Sequence, residues 1–175
     1  MQRALFIGRF QPFHLGHLSV VKKLIEQYDE LIIAIGSSEN AQEDINPFSC
    51  HERFEMILET LKAESIDLSR IHIIPIRDIH DDDKWVAHVQ ELCPSFHASY
   101  SGSEYIRSLF IKANIPTFDV NKIIDIDATQ IRKDITENTE WEHFVHPVVE
   151  KYLKQIDVQK LLKNIKKKGI KKDAT

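Results

Sequence analysis

The chain has few cysteines, few glycines and no long apolar run, and each shortage closes off a class of protein. Only two cysteines occur in 175 residues, Cys50 and Cys93, far apart and with no Cys-x-x-Cys pair. A disulfide framework and a cysteine-based zinc site are thereby excluded, and a reducing, cytoplasmic setting is expected. With five glycines in all, the chain has no Walker loop and no Gly-x-Ser-x-Gly turn, so P-loop phosphate binding and that form of serine hydrolysis are set aside. No apolar run approaches the ~20 residues of a membrane span. Met1 leads almost directly into an apolar segment, so no signal peptide is expected. A general excess of basic charge is also missing. The net charge is −4, and the seven lysines and one aspartate of residues 160–175 leave the rest of the chain strongly acidic. Neither a nucleic-acid nor a membrane partner is expected of such a body.

A hydrophobic fraction of 42% in 175 residues suits one globular domain with a sizeable core. The domain is expected over residues 1–165, with 166–175 as a lysine-rich tail that reads as a solvated helix end or frayed terminus. Leu161, Leu162 and Ile165 give the segment before that tail a face able to dock.

The pattern alternates strand and helix. Ala4-Leu5-Phe6-Ile7 reads as a buried strand, and Leu18, Val21, Leu24, Ile25 and Tyr28 fall at helical spacing. Residues 31–36 form a second, continuously apolar strand, as a strand covered on both faces requires. A polar loop over 37–47 reads as mobile surface near a ligand. Ser49 and Glu52 then predict a capping box before the stripe Phe54, Ile57, Leu58 and Leu61. Further strands are expected over 71–76, over 98–101 and within 123–126. Asp83 is expected to cap a helix holding Trp85, Val89 and Leu92, although the run Asp81-Asp82-Asp83 also has the chemistry to hold Mg²⁺. Ser103 predicts another cap, Thr139 with Glu142 a second capping box, and Pro147 the first residue of a terminal helix. The result is a Rossmann-like, doubly wound α/β domain: about five parallel strands with C-terminal helices.

The chemistry concentrates at the first strand-to-helix turn, Gly8-Arg9-Phe10-Gln11-Pro12-Phe13-His14-Leu15-Gly16-His17. In an open parallel sheet the ligand lies beyond the carboxyl ends of the strands, against helix N-termini that favour anions. Gly8 and Gly16 allow close approach to the backbone, Arg9 offers a planar fork for phosphate oxygens, and His14 and His17, three apart, share one side of the helix start. A His-x-x-His pair also suits zinc, but further ligands are lacking nearby. A second phosphate-binding turn is expected at Thr129 and Arg132, where a hydroxyl, backbone amides and a guanidinium converge.

Residues 8–17 resemble the signature of the nucleotidyltransferase superfamily, whose members carry His-x-Gly-His or Thr-x-Gly-His after the first strand. Most branches have an acid in the turn, as in Gly-x-Phe-Asp-Pro. Gly8-Arg9-Phe10-Gln11-Pro12 resembles instead the archaeal-type nicotinamide mononucleotide (NMN) adenylyltransferases. Asn46-Pro47-Phe48-Ser49-x-x-Glu52-Arg53, Trp85-Val86-x-His88-Val89, Tyr100-Ser101-Gly102 and Asp127-Ala128-Thr129-x-Ile131-Arg132 match their later segments, so the resemblance covers about residues 3–150. Two positions depart from it: Ile45, where some members carry arginine, and Asp127, where serine is usual.

The resemblance implies transfer of AMP from ATP, accompanied by Mg²⁺, to NMN, giving NAD and pyrophosphate. It implies catalytic roles for His14, His17, Arg9 and Arg132, with His14 and Arg9 at the α- and β-phosphates and His17 and Arg132 at the β- and γ-phosphates. ATP would also meet Gly8, Phe10, Gly16, Thr129 and Ile131. NMN, or its nicotinic acid analogue, would meet Asp78, Ile79, Trp85, Gly102, Ser103 and Arg53, with Trp85 packed on the pyridine ring. No protein ligand to the metal is implied, since Mg²⁺ comes on the phosphates. Read from its position alone, Arg53 awaits a carboxylate or a ligand, and Trp85 is equally at home in the core. Asp127 would repel triphosphate unless it caps its helix or meets Mg²⁺. A homo-oligomer is expected. The alternatives are a sister transferase acting on phosphopantetheine or cytidylate, and a non-catalytic nucleotide sensor on the same fold.

Overall fold

The computed structural model describes residues 1–120 and 126–172, with side-chain surroundings through residue 168. Five strands, β1 (Arg3–Gly8), β2 (Glu30–Ile35), β3 (Ile71–Pro75), β4 (Ala98–Ser101) and β5 (Thr117–Asp119), form one sheet in the order β3-β2-β1-β4-β5. Every pairing is parallel, and β1 runs in register with β2 from Arg3↔Glu30 to Gly8↔Ile35.

Strand residues alternate between two cores, as the pleat demands. Ala4, Phe6, Leu31, Ile33 and Ile35 face one core together with α1 (Leu15–Gln27), α2 (Cys50–Ala63), α5 (Ala128–Glu137), α6 (Pro147–Gln155) and α7 (Val158–Lys172). Leu5, Ile7, Ile32 and Ala34 face the other, with α3 (Asp82–Leu92) and α4 (Glu104–Lys112). Burial on both faces is why these strands read as unbroken apolar runs. The order turns back between β1 and β4, so the ligand crevice of a doubly wound sheet belongs between their carboxyl ends.

Several elements differ from expectation. The helix after β3 is capped by Asp81, whose carboxylate accepts the Lys84 N–H, so it starts at Asp82; Asp83 sits one residue inside and pairs with Lys112. Any acid of the run could cap, and tertiary packing selected the first. The capping box at Thr139 and Glu142 does not form. Trp141 opens a single 3-10 turn over Glu142–Phe144, and Thr139 bonds back to Asp134 instead. The strand expected within 123–126 lies almost wholly outside the described residues, and the described fifth strand is the short edge β5. After residue 165, α7 continues as helix to Lys172, with Leu162 and Ile165 buried and residues 166–168 exposed.

Candidate active site

At the carboxyl ends of β1 and β4 lies a cavity of about 690 Å³. Gly8, Arg9, Phe10, His14, Gly16, His17, Thr129 and Arg132 line it, as do Asp78, Trp85, Gly102 and Ser103. The two candidate phosphate turns and the candidate ring-binding segment therefore share one space.

The first turn is held by its own side chains. Phe10 adopts the left-handed region at φ 52°, and its ring packs so closely on Gly8 that a Cβ there would stand 3.3 Å from it, a tight contact that glycine avoids. His14 caps α1. Its Nδ1 accepts the His17 N–H, while His17 Nδ1 accepts the His14 N–H, both at 3.3 Å. This is a capping box built from two imidazoles, whose rings stack at 3.5 Å between centroids. Phe13 stacks on His17, and Phe10 meets its edge. With both Nδ1 atoms accepting, each neutral ring carries its proton on Nε2, so both histidines are donors through Nε2. Gln11 is buried and pairs its amide with the Phe48 backbone: Nε2 donates to the carbonyl and Oε1 accepts the N–H, both at 2.9 Å.

The second turn opens α5. Asp127 is its cap, with Oδ1 accepting the Thr129 N–H at 2.7 Å, so the departure from serine keeps the capping function. Arg132 donates from Nη1 to the Gln11 carbonyl at 2.7 Å, which ties the second turn to the first. Its pKa falls from the usual arginine value through burial and then through the nearby charge of Arg9. Arg53 is lowered by burial, and Arg9 again disfavours its charge. Among the described residues none of these three arginines forms an ion pair. Arg9 and Arg132, which line the cavity beside the starts of α1 and α5, form a pair of like charges suited to a polyanion.

The other end is acidic and aromatic. Asp78, His80, Asp81 and Asp82 line it beside Trp85 and Tyr105, and the Tyr105 hydroxyl donates to Asp82 Oδ1 at 2.5 Å. That bond, the largest cause, raises the Tyr105 pKa. Trp85 is 6% exposed, set edge-on to Phe110 in the core, yet still borders the cavity. It is both the core residue and the cavity wall that the sequence presented as alternatives.

Three expected contacts do not line the cavity. Ile79 packs against the core beneath α3, and Ile131 is buried under α5. Arg53 is 0% exposed and donates to the carbonyls of Ser49, Arg9, Gly36 and Ser37 rather than to a carboxylate or into the cavity. Gly36, Ser37, Tyr105, His80 and Val120 line the cavity without having been singled out from sequence. The first two could have been found, because they follow β2 at its carboxyl end, where ligand loops gather. Among the described residues no three His, Cys, Asp or Glu side chains converge to hold a metal ion, and no helix is long and apolar enough to cross a membrane.

A five-stranded parallel sheet with a histidine–arginine turn and a second helix N-terminus facing one switch-point cavity defines a nucleotidyltransferase. The cytidylyltransferase-like family matches residues 5–172. A nicotinamide-nucleotide adenylyltransferase of Saccharolobus solfataricus is 39% identical over 170 residues, covering 94% of this chain and 97% of that one. One from Archaeoglobus fulgidus is 37% identical over 168 residues, covering 93% and 97%. Among solved structures, a bifunctional NMN adenylyltransferase/ADP ribose pyrophosphatase of Francisella tularensis, complexed with AMP and a manganese ion, superposes with a TM-score of 0.74 at 26% identity. The match covers 94% of this chain but spans only about half of that one, 51%. The chain belongs to the cytidylyltransferase-like family, in its nicotinamide-nucleotide adenylyltransferase branch.

Proposed function

We propose that this cavity joins ATP and NMN, giving NAD and pyrophosphate. The observation that carries the reading is the imidazole capping box, whose two histidines line one cavity together with Arg9 and Arg132. An oxygen of the NMN phosphate attacks the α-phosphorus of ATP in line. The new bond is O–Pα, and the bond from Pα to the bridging oxygen of the β-phosphate breaks, releasing pyrophosphate. No protein nucleophile is required, so positioning and charge stabilisation do the work.

His14 and Arg9 hold the α- and β-phosphates, and His17 and Arg132 take the β- and γ-phosphates as negative charge grows on the leaving group. Gly16 and Thr129 lie at the two helix openings, where an anion is favoured; the Thr129 N–H is taken by the Asp127 cap, so Thr129 would offer its hydroxyl. Mg²⁺ enters as part of the substrate, on the triphosphate. Trp85 sets the other end of the cavity, where its indole faces the cationic pyridine ring of NMN, and the acidic wall of Asp78 and Asp82 suits the same cation. The reading includes a cytoplasmic enzyme, supported by two free thiols, and self-association, to be measured by sedimentation.

The deciding experiment incubates the protein with Mg²⁺–ATP and, in parallel, NMN, nicotinic acid mononucleotide and phosphopantetheine, and identifies the products by mass. NAD and pyrophosphate are expected with NMN. Dephospho-coenzyme A in place of NAD would establish the sister activity, and nucleotide binding with no turnover would establish a sensor.

A further inference from the structure

Arg53 is a buried cation that the reaction just described does not use. It sits in the first turn of α2, where the helix dipole opposes positive charge, with its side chain wholly enclosed. Nε donates to Ser49 O at 3.2 Å, which folds the side chain back along its own helix start. The guanidinium then reaches two other loops. Nη1 donates to Arg9 O at 3.0 Å and to Gly36 O at 2.7 Å, and Nη2 donates to Ser37 O at 3.0 Å. Arg9, Gly36 and Ser37 all line the cavity. The same two connections are also joined by the Gly36 N–H to Gly8 O bond, at 2.9 Å, and farther along by the paired bonds of the Gln11 side chain with the Phe48 backbone, but neither reaches Arg9 or Ser37. The braced backbone is also costly: Phe10, next to Arg9, and Ser37 lie in the left-handed region at φ 52° and 47° without being glycine.

We propose that Arg53 is a positioning residue for adenylyl transfer: its fork clamps the loop after β1 to the loop after β2 and thereby sets Arg9 against the phosphates. The inference rests on the nucleotidyltransferase reading above. A planar guanidinium spans carbonyls on two loops at once, and a lysine ammonium, a point charge on a flexible stem, does not. Arg53→Lys therefore keeps the charge and removes the clamp.

The test is a double-mutant cycle on Arg9 and Arg53 with Mg²⁺–ATP and NMN, reading kcat and KM for each substrate. Arg70 supplies the control. Its guanidinium donates to the carbonyls of Ile25, Tyr28 and Asp29, the same kind of bond, but at the amino ends of the strands, away from the cavity. Arg53→Lys should stay folded and raise KM for ATP at least tenfold, with KM for NMN changed less. Arg9→Ala in the Arg53→Lys background should then add little, so the two effects coincide instead of multiplying. Arg70→Lys should lower the melting temperature yet leave KM for ATP within about twofold. Effects of Arg9 and Arg53 that multiply, or an Arg70→Lys variant that raises KM for ATP as much as Arg53→Lys, would overturn the proposal. Should Arg53→Lys not fold, Arg53→Gln, which buries no charge, carries the same cycle. Failure of both to fold would assign Arg53 to the core alone and overturn the proposal as well. A parent chain that makes no NAD refutes the functional reading, whereas an active parent with a multiplying cycle refutes only the clamp.

Discussion

Gln11 occupies the position in the first turn where most related branches carry an acid, and the structure supplies a reason for the amide. It is 3% exposed, and its side chain satisfies both polar groups of the Phe48 backbone. Phe48 is itself fully buried and stands one residue before the Ser49 cap of α2. Gln11→Ala leaves a buried N–H and a buried C=O without partners, each costing about 1–3 kcal/mol. A loss of roughly 2–6 kcal/mol follows, and at this chain length it lowers the melting temperature by about 4–24 °C. Gln11→Glu separates the two bonds by pH. A protonated carboxyl can still donate to the Phe48 carbonyl and accept its N–H, whereas a carboxylate sets an oxygen against the carbonyl. The folded state therefore favours the protonated form and raises the pKa of the new group above its unfolded value near ~4.3. For a group raised in this way, stability is retained below the unfolded pKa and lost as pH rises through the folded one. The variant should melt near the parent at about pH 4 and fall progressively below it toward pH 8. Thermal and urea melts of the parent and both variants across that range are the assay. A Gln11→Ala variant within about 1 kcal/mol of the parent, or a Gln11→Glu deficit independent of pH, would refute the reasoning.

His17→Ala should cut kcat by about 10²–10³ while far-ultraviolet dichroism stays native, because it removes one donor from the developing charge; steady-state rates decide, and near-native turnover in a folded variant would refute the role given to His17. Trp85→Ala should both destabilise by about 3–5 kcal/mol, as a core tryptophan does, and raise KM for NMN more than KM for ATP. Trp85→Phe should recover most of the stability but not all of the NMN affinity, and a variant that harms both substrates alike would leave Trp85 a core residue only. At the amino ends of the strands, the Arg3 hydrogen bond and then the His72 hydrogen bond hold the Glu30 carboxyl below its ordinary range. A carboxylate depressed in this way contributes stability above its unfolded pKa and loses it as pH falls through the folded one. Glu30→Gln should therefore melt lower near neutrality and converge with the parent as the pH drops below about 4; parallel melting curves across that range would show the pair to be silent.

The sheet was legible because both of its faces are buried. A strand covered on two sides must be apolar at every position, so β1 and β2 announced themselves as runs, and the short loops between alternating elements left only a parallel crossover. The edge was not legible. β5 is three residues with two of them exposed, so it carries no apolar run to read. Caps were legible where one residue competed for the role, as at Ser49 with Glu52. They were not where three aspartates stood in a row, nor where Trp141 took the position that Thr139 suggested. In each failure the local chemistry allowed several answers, and packing against other elements chose among them.

The site divides along the same physical line. The two candidate phosphate turns were readable because each is a local motif: small residues and a helix start within a few positions, directly after a strand end in the first. What they lean on is not local. An arginine in the first turn of a helix reads as a group waiting for an anion, since the dipole there opposes it. What satisfies Arg53 is backbone carbonyl at Arg9, 44 positions earlier, and at Gly36 and Ser37, 17 and 16 positions earlier. Carbonyls carry no signature in the sequence, because every residue has one. The imidazole capping box was hidden for a related reason. Histidine ranks outside the residues that favour an N-cap, so the pair at 14 and 17 read only as ligand chemistry. In the structure the same two rings close the helix start through Nδ1, which leaves the proton on Nε2, so the cap orients the groups proposed to meet the phosphates. Replacing either ring therefore removes a donor and loosens the partner ring, and the two histidines are expected to act as one unit whose losses do not multiply.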